Sequence, residues 1–276
     1  MIGAAFGLGF IIGPVIGGLL GQFGSRVPFY AAAVLCLVNF AYGYFILPES
    51  LGKEHRRPFE WKRANPVGSL LKVRTHPEIL KLFVAWFLVY LASHAVQTNW
   101  AYFTMYKFAW DEKTVGISLG VMGAFTAFVQ GFLIRKVHPK LGSERSILYG
   151  IMFYCTGMLL FAFAQKEWMM YAILAIYCLG GIAGPALQSV ISSKVSPKEQ
   201  GDLQGALTSV ISITSIIGPL LMTQIFYFFT HPDAKIKLLT LELKPPFQFS
   251  GAPFFLGFAL MAVSAYFVYY VFHRKK

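Results

Sequence analysis

Charge is what this sequence has least of. Only 13% of its 276 residues are Asp, Glu, Lys or Arg, where a soluble domain carries about 25%. That scarcity, with so much apolar surface to bury, excludes a water-soluble globular protein and a disordered chain alike. Cysteine is scarcer still. Cys36, Cys155 and Cys178 stand singly inside apolar runs, so no disulfide framework, CxxC redox pair or metal site is expected, and the thiols read as small core residues. Enzyme signatures are missing too: there is no GxxxxGK[ST] loop, no HExxH and no GxSxG. Nucleotide hydrolysis, zinc proteolysis and serine hydrolysis need those residues at those spacings. The chain is therefore read as no enzyme and as using no cofactor, and any uphill work it serves must draw on an ion gradient.

What is there is hydrocarbon. The hydrophobic set makes up 56% of the chain, with 27 Phe, and the mean hydropathy is +0.58. Eight charge-poor runs end at Gly, Pro or charged clusters: Ile2–Gly21, Val27–Leu47, Ile79–Met105, Val115–Ile134, Ile147–Ala164, Trp168–Ile191, Leu203–Phe229 and Ala252–Phe272. A helix of about 20 residues crosses the hydrocarbon of a bilayer, and only a helix or a closed barrel satisfies its backbone there. The expected fold class is all-α and polytopic, with about eight transmembrane helices.

The few charges sort by side. Lys and Arg together number 24 against 12 Asp and Glu, a formal +12, which in a soluble protein would suggest nucleic acid. Here seventeen of the 24 fall on one face: eight between Lys53 and Lys81, then Arg135, Lys136, Lys140 and Arg145, then Lys194 and Lys198, and finally Arg274, Lys275 and Lys276. Basic loops stay on the cytoplasmic side. The reading is an integral, multi-pass plasma (inner) membrane protein with a cytoplasmic C-terminus, partnered by the lipid bilayer and not by nucleic acid. No obligate protein partner is implied. Residues 68–73, after Pro66, read as a short amphipathic piece on the cytoplasmic surface. The 230s–240s, from His231 to Pro246, read as a long irregular external loop.

An internal repeat divides the chain. Gly13-Pro14 lies in the first run and Gly218-Pro219 in the seventh, an offset of about six spans. The expected organisation is 1–47 as the last two helices of an N-terminal bundle, 48–77 as a cytoplasmic central loop, and 78–276 as a six-helix C-terminal bundle with a cytoplasmic tail. The first run opens at Met1 with no polar leader, which reads as N-terminal truncation.

The run Gly9-x-x-x-Gly13-Pro14-x-x-Gly17-Gly18 resembles the antiporter motif of drug:proton antiporters in the major facilitator superfamily. Further similarity to the tetracycline-resistance branch lies in Leu47-Pro48-Glu49-Ser50-Leu51, Asn65-Pro66, Trp100…Tyr102-Phe103, Val115-Gly116…Ser118-Leu119, Val129-Gln130-Gly131, Lys140-Leu141-Gly142 and Gln204-Gly205-Ala206-Leu207. The resemblance implies the fifth to twelfth helices of a twelve-helix fold. It also implies a proton-coupled secondary transporter that exports small amphipathic compounds, as in multidrug efflux and antibiotic resistance, by alternating access. Its partners would be a small-molecule substrate and protons. The family's early-helix acids are not in this chain, so the polypeptide by itself is expected not to transport. A metabolite importer of the same fold and a non-transporting membrane scaffold remain alternatives.

Candidate site residues follow from spacing. Gly9, Gly13 and Gly17 stack along one helical face, and Gly120 and Ala124 do so on another. Such faces let backbones approach closely, either as the seam between bundles or as ordinary packing. Trp86, Tyr90, His94 and Gln97 share one face of their helix, with Asn99 off to the side. They either line a cavity for a planar amphipathic compound or pack in the core. An intramembrane His is a functional candidate by default, against the alternative that a carbonyl satisfies it. Gln130 and Gln188 need polar partners in an apolar setting, from substrate or from another helix.

Overall fold

The computed structural model describes residues 26–48, 77–196, 199–232, 236–238, 241–245 and 247–273, with positions 9, 12, 13, 16, 17, 20, 21, 23 and 24 of the first run. Its helices are α1 (Val27–Phe45), α2 (Pro77–Phe108), α3 (Glu112–Phe128), α4 (Ile134–Phe163), α5 (Glu167–Leu179), α6 (Ala183–Ser192), α7 (Gln200–Thr230) and α8 (Ala252–His273). A π turn at Val129–Leu133 joins α3 to α4, and a 3₁₀ turn at Gly180–Ile182 joins α5 to α6. The all-helical, membrane-spanning class is met: among the described residues six continuous helical stretches are long and apolar enough to cross a bilayer. One of them, Glu112–Phe163, has 52 residues and holds two of the expected spans.

Local chemistry sets the ends. Proline opens α1, where its missing N–H is one no helix uses. Asp111 caps α3, accepting from the Thr114 N–H at 2.8 Å and from its hydroxyl at 2.5 Å. At the C-terminus of α2, Ala109 takes φ +52°, and the Trp110 N–H returns to the Thr104 carbonyl at 3.5 Å. That is the left-handed helix stop usually built on glycine.

Two expectations about connections are corrected. The segment carrying Arg135, Lys136 and Lys140 is helical, because the π turn carries the ladder past Phe128 without a loop. The chain breaks only at Gly142, φ +75° and ψ 171°. The external connection expected to be irregular holds a two-stranded antiparallel ribbon, β1 (Ile236–Leu238) and β2 (Leu241–Leu243), with Ile236 opposite Leu243. Alternating apolar residues favour that pairing.

The core lies among α2 to α8. One half gathers Leu82, Trp86, Ile147, Leu187, Leu207 and Met261; the other gathers Trp100, Phe103, Phe161, Leu174, Met222 and Phe254. Since lipid is as apolar as leucine, close van der Waals fit must drive the packing. The seam between α4 and the α5–α6 stack shows it. A Cβ on Gly150 would stand 2.7 Å from the Ala183 nitrogen, one on Gly157 2.8 Å from the Tyr177 Cβ, and one on Gly180 2.5 Å from the Tyr154 ring. By contrast α1 buries none of its residues, and Phe29, Phe40, Tyr44 and Phe45 are exposed along it.

Candidate functional site

The polar stripe of α2 faces the rest of the bundle at one end and opens at the other. Trp86 is 2% exposed and sits in the core with its Nε1 unpartnered; its ring lies 4.8 Å from that of half-buried Tyr90. Ser93 donates to the Tyr90 carbonyl at 2.7 Å, and Gln97 Nε2 donates to the Ser93 hydroxyl at 3.1 Å. Gln97 is the exposed member.

His94, 7% exposed, meets the second Gly-Pro. A Cβ built on Gly218 would stand 2.5 Å from His94 Cγ, so the imidazole occupies the space that a side chain at 218 would need. Pro219 lies next in α7 and has no N–H, which leaves the carbonyl of Ser215 without its helical donor. Two features separate in sequence thus form one contact between α2 and α7. Buried Thr230, whose carbonyl accepts from the Tyr106 hydroxyl at 3.3 Å, ties the same two helices again at the far end.

The two glutamines part ways. Gln130 sits in the π turn, and its side chain lies 3.5 Å from where a Cβ on Gly181 would be. The π turn and the 3₁₀ turn therefore face each other across Gln130. Irregular turns of this kind leave backbone carbonyls outside the regular ladder. Gln188 instead donates to Gln204 at 3.2 Å, and Gln204 reaches Ser192 at 3.5 Å, a polar bridge from α6 to α7.

Of the small-residue faces, Gly9, Gly13 and Gly17 have nothing within 4 Å of an added Cβ, and neither does Gly120; Ala124 is exposed. Both faces stand open among the described residues. Pro14 and Gly18 lie outside the described residues, as do the 68–73 piece and nearly all of the central loop.

Several tight points had weak or no sequence signals. Trp100 Nε1 donates to the Ser118 hydroxyl at 2.8 Å, and Ser118 donates to the Val115 carbonyl at 2.7 Å, locking α2 to α3. Asn99 is fully buried with both amide atoms unpartnered. Cys178 accepts from Thr126 and donates to the Met122 carbonyl, both at 3.8 Å, as expected of a core thiol. Cys155 is half-buried and Cys36 is exposed on α1, which corrects the core reading for Cys36. Among the described residues no cluster of His, Cys, Asp or Glu could hold a metal.

Against known proteins, the family model described as Major Facilitator Superfamily matches residues 1–219. The tetracycline resistance protein, class C, of Escherichia coli is 37% identical over 226 residues, covering 82% of this chain and 57% of that protein. The class H protein of Pasteurella multocida is 30% identical over 280 residues, covering 100% of this chain and 64% of its own length. Among solved structures, the human organic anion transporter MFSD10 (TETRAN) superposes with a TM-score of 0.78 at 20% identity, over 97% of this chain and 62% of that one. The chain thus spans little more than half the length of the curated relatives it matches.

Proposed function

The chain belongs to the Major Facilitator Superfamily, and on that premise we propose that it serves proton-coupled export of small amphipathic compounds. The observation that carries this reading is the 37% identity to a tetracycline resistance protein across 82% of the chain. Members of this family are transporters and not enzymes, and this one is a multi-pass inner membrane protein. In the proposed cycle two helix bundles tilt about a site near the bilayer midplane, and the described α2–α8 bundle is the C-terminal one. Gly9, Gly13 and Gly17 face Gly120 and Ala124 across the seam when the bundles meet. Tyr90, His94, Gln97, Gln130 and Gln188 line the path, with Gln97 at the open end of the α2 stripe and Trp86 packed behind it in the core. The C-terminus is cytoplasmic.

The contact of His94 with Gly218-Pro219 supports coupling at the α2–α7 boundary. A helix relieved of one backbone bond at Pro219 bends there more easily, and any bend moves the imidazole pressed against it. The test is drug susceptibility of a strain deleted for the gene. The deletion is expected to lower the inhibitory concentration of planar amphipathic antibiotics several-fold, and re-expression to restore it. Unchanged susceptibility across such compounds would remove the export reading.

A further inference from the structure

We infer that the groove between α4 and α8 is a binding site for one anionic phospholipid, a role separate from the proposed transport path. The groove encloses about 540 Å³, within the size range of small-ligand sites. Its two walls run in opposite directions along the chain, yet they match in polarity. Glu144 and Arg145 of α4 lie at the same end as His273 of α8, while Met152 and Ala265 lie at the other. Eight residues separate the ends on each wall, about 12 Å of helix. One end is thus polar at the membrane edge and the other apolar toward its middle, which is the plan of a phospholipid with its headgroup out and an acyl chain in.

Charge selects the headgroup. The Glu144 carboxylate lies 3.5 Å from His273 Nδ1. That nitrogen also contacts the Tyr269 carbonyl at 3.2 Å. Glu144 thus has the His273 ring as its neighbour across the mouth of the groove. Arg145 is exposed and has no carboxylate partner among the described residues. Its planar fork suits a phosphate. Tyr149 and Tyr269, exposed on either wall, stand between the two ends, where rings with an apolar body and a polar tip suit the transition from headgroup to acyl chain.

The test uses the full chain in nanodiscs of equal parts phosphatidylglycerol and phosphatidylcholine, with lipid retained after extraction counted by native mass spectrometry. One phosphatidylglycerol per chain is expected in preference to phosphatidylcholine. Arg145→Gln is expected to lower that retention about tenfold, the loss of one charge-assisted contact. Ala265→Phe, which fills the apolar end from the lipid side, should lower it as well. Replacing Arg274, Lys275 and Lys276 by Gln should leave it unchanged, and soluble glycerol phosphate should not compete. Equal retention of the two lipids overturns the site. So does loss through the tail variant with Arg145→Gln silent, or competition by glycerol phosphate, which would mark a free-phosphate site.

Discussion

Gly218 and Gly120 are both helical glycines, and their surroundings give them opposite predictions. At Gly218 the His94 ring fills the space of the missing side chain, so Gly218→Val must displace a buried imidazole. Overpacking of this kind costs about 1–3 kcal/mol, and thermal unfolding in detergent should show the drop. Gly120→Ala meets nothing within 4 Å, and its stability should stay within about 0.5 kcal/mol of the parent. Ala109 is the converse case. Its φ of +52° strains any residue with a Cβ by about 1–2 kcal/mol, so Ala109→Gly should raise the melting temperature, and a fall would deny the left-handed stop. Asp111 gives a pH dependence. The hydroxyl and then the N–H of Thr114 hold its carboxyl below the ordinary carboxylate range. A depressed carboxyl stabilises the fold above its unfolded value and loses that contribution as pH falls through the lowered folded one. The stability difference between the parent and Asp111→Asn should therefore be present at neutral pH and vanish in acid; a gap that persists there would contradict the cap.

At the scale of elements, the spans were legible because apolar length is a property of the chain alone. The expected Ile79–Met105 became α2, longer by two residues at its start and three at its end, and Ala252–Phe272 became α8, longer by one residue at its end. The π turn at Val129–Leu133 and the 3₁₀ turn at Gly180–Ile182 were not legible. The two turns meet at Gln130 and Gly181, a juxtaposition no local window contains. The same holds for the seam of α4 with α5 and α6. Gly150 and Gly157 belong to none of the motifs quoted from the sequence, yet a Cβ at 157 would collide with Tyr177. Gly157→Leu is expected to separate α4 from α5, and cysteine cross-linking between the two helices should fall sharply while membrane insertion persists. Undiminished cross-linking would show that the seam tolerates bulk.

For the whole molecule, α1 and the bundle differ in kind. Helices α2 to α8 pack around a core of two clusters, whereas α1 buries nothing. The open faces at Gly9, Gly13 and Gly17 and at Gly120 belong to the same contrast, since small-residue faces gain stability only when another helix lies against them. The proposed topology makes a prediction at this scale. Reporter fusions at Arg56 and at Lys275 should both report the cytoplasm, because the basic residues concentrate on that side. A fusion that places either one outside would reverse the orientation of every span.

Membrane residence, helical class and the repeat of Gly13-Pro14 in Gly218-Pro219 were determined by the sequence by itself. Each depends on composition or spacing along the chain, and lipid imposes helix on any long apolar run. Only the tertiary structure decided which polar residues meet: His94 with Gly218, Gln130 with Gly181, Gln188 with Gln204, and Glu144 with His273. Those pairings depend on how far each helix is rotated and shifted against its neighbour. In a bundle where every face is apolar, hydrophobicity does not choose that rotation, and close fit at the glycines does.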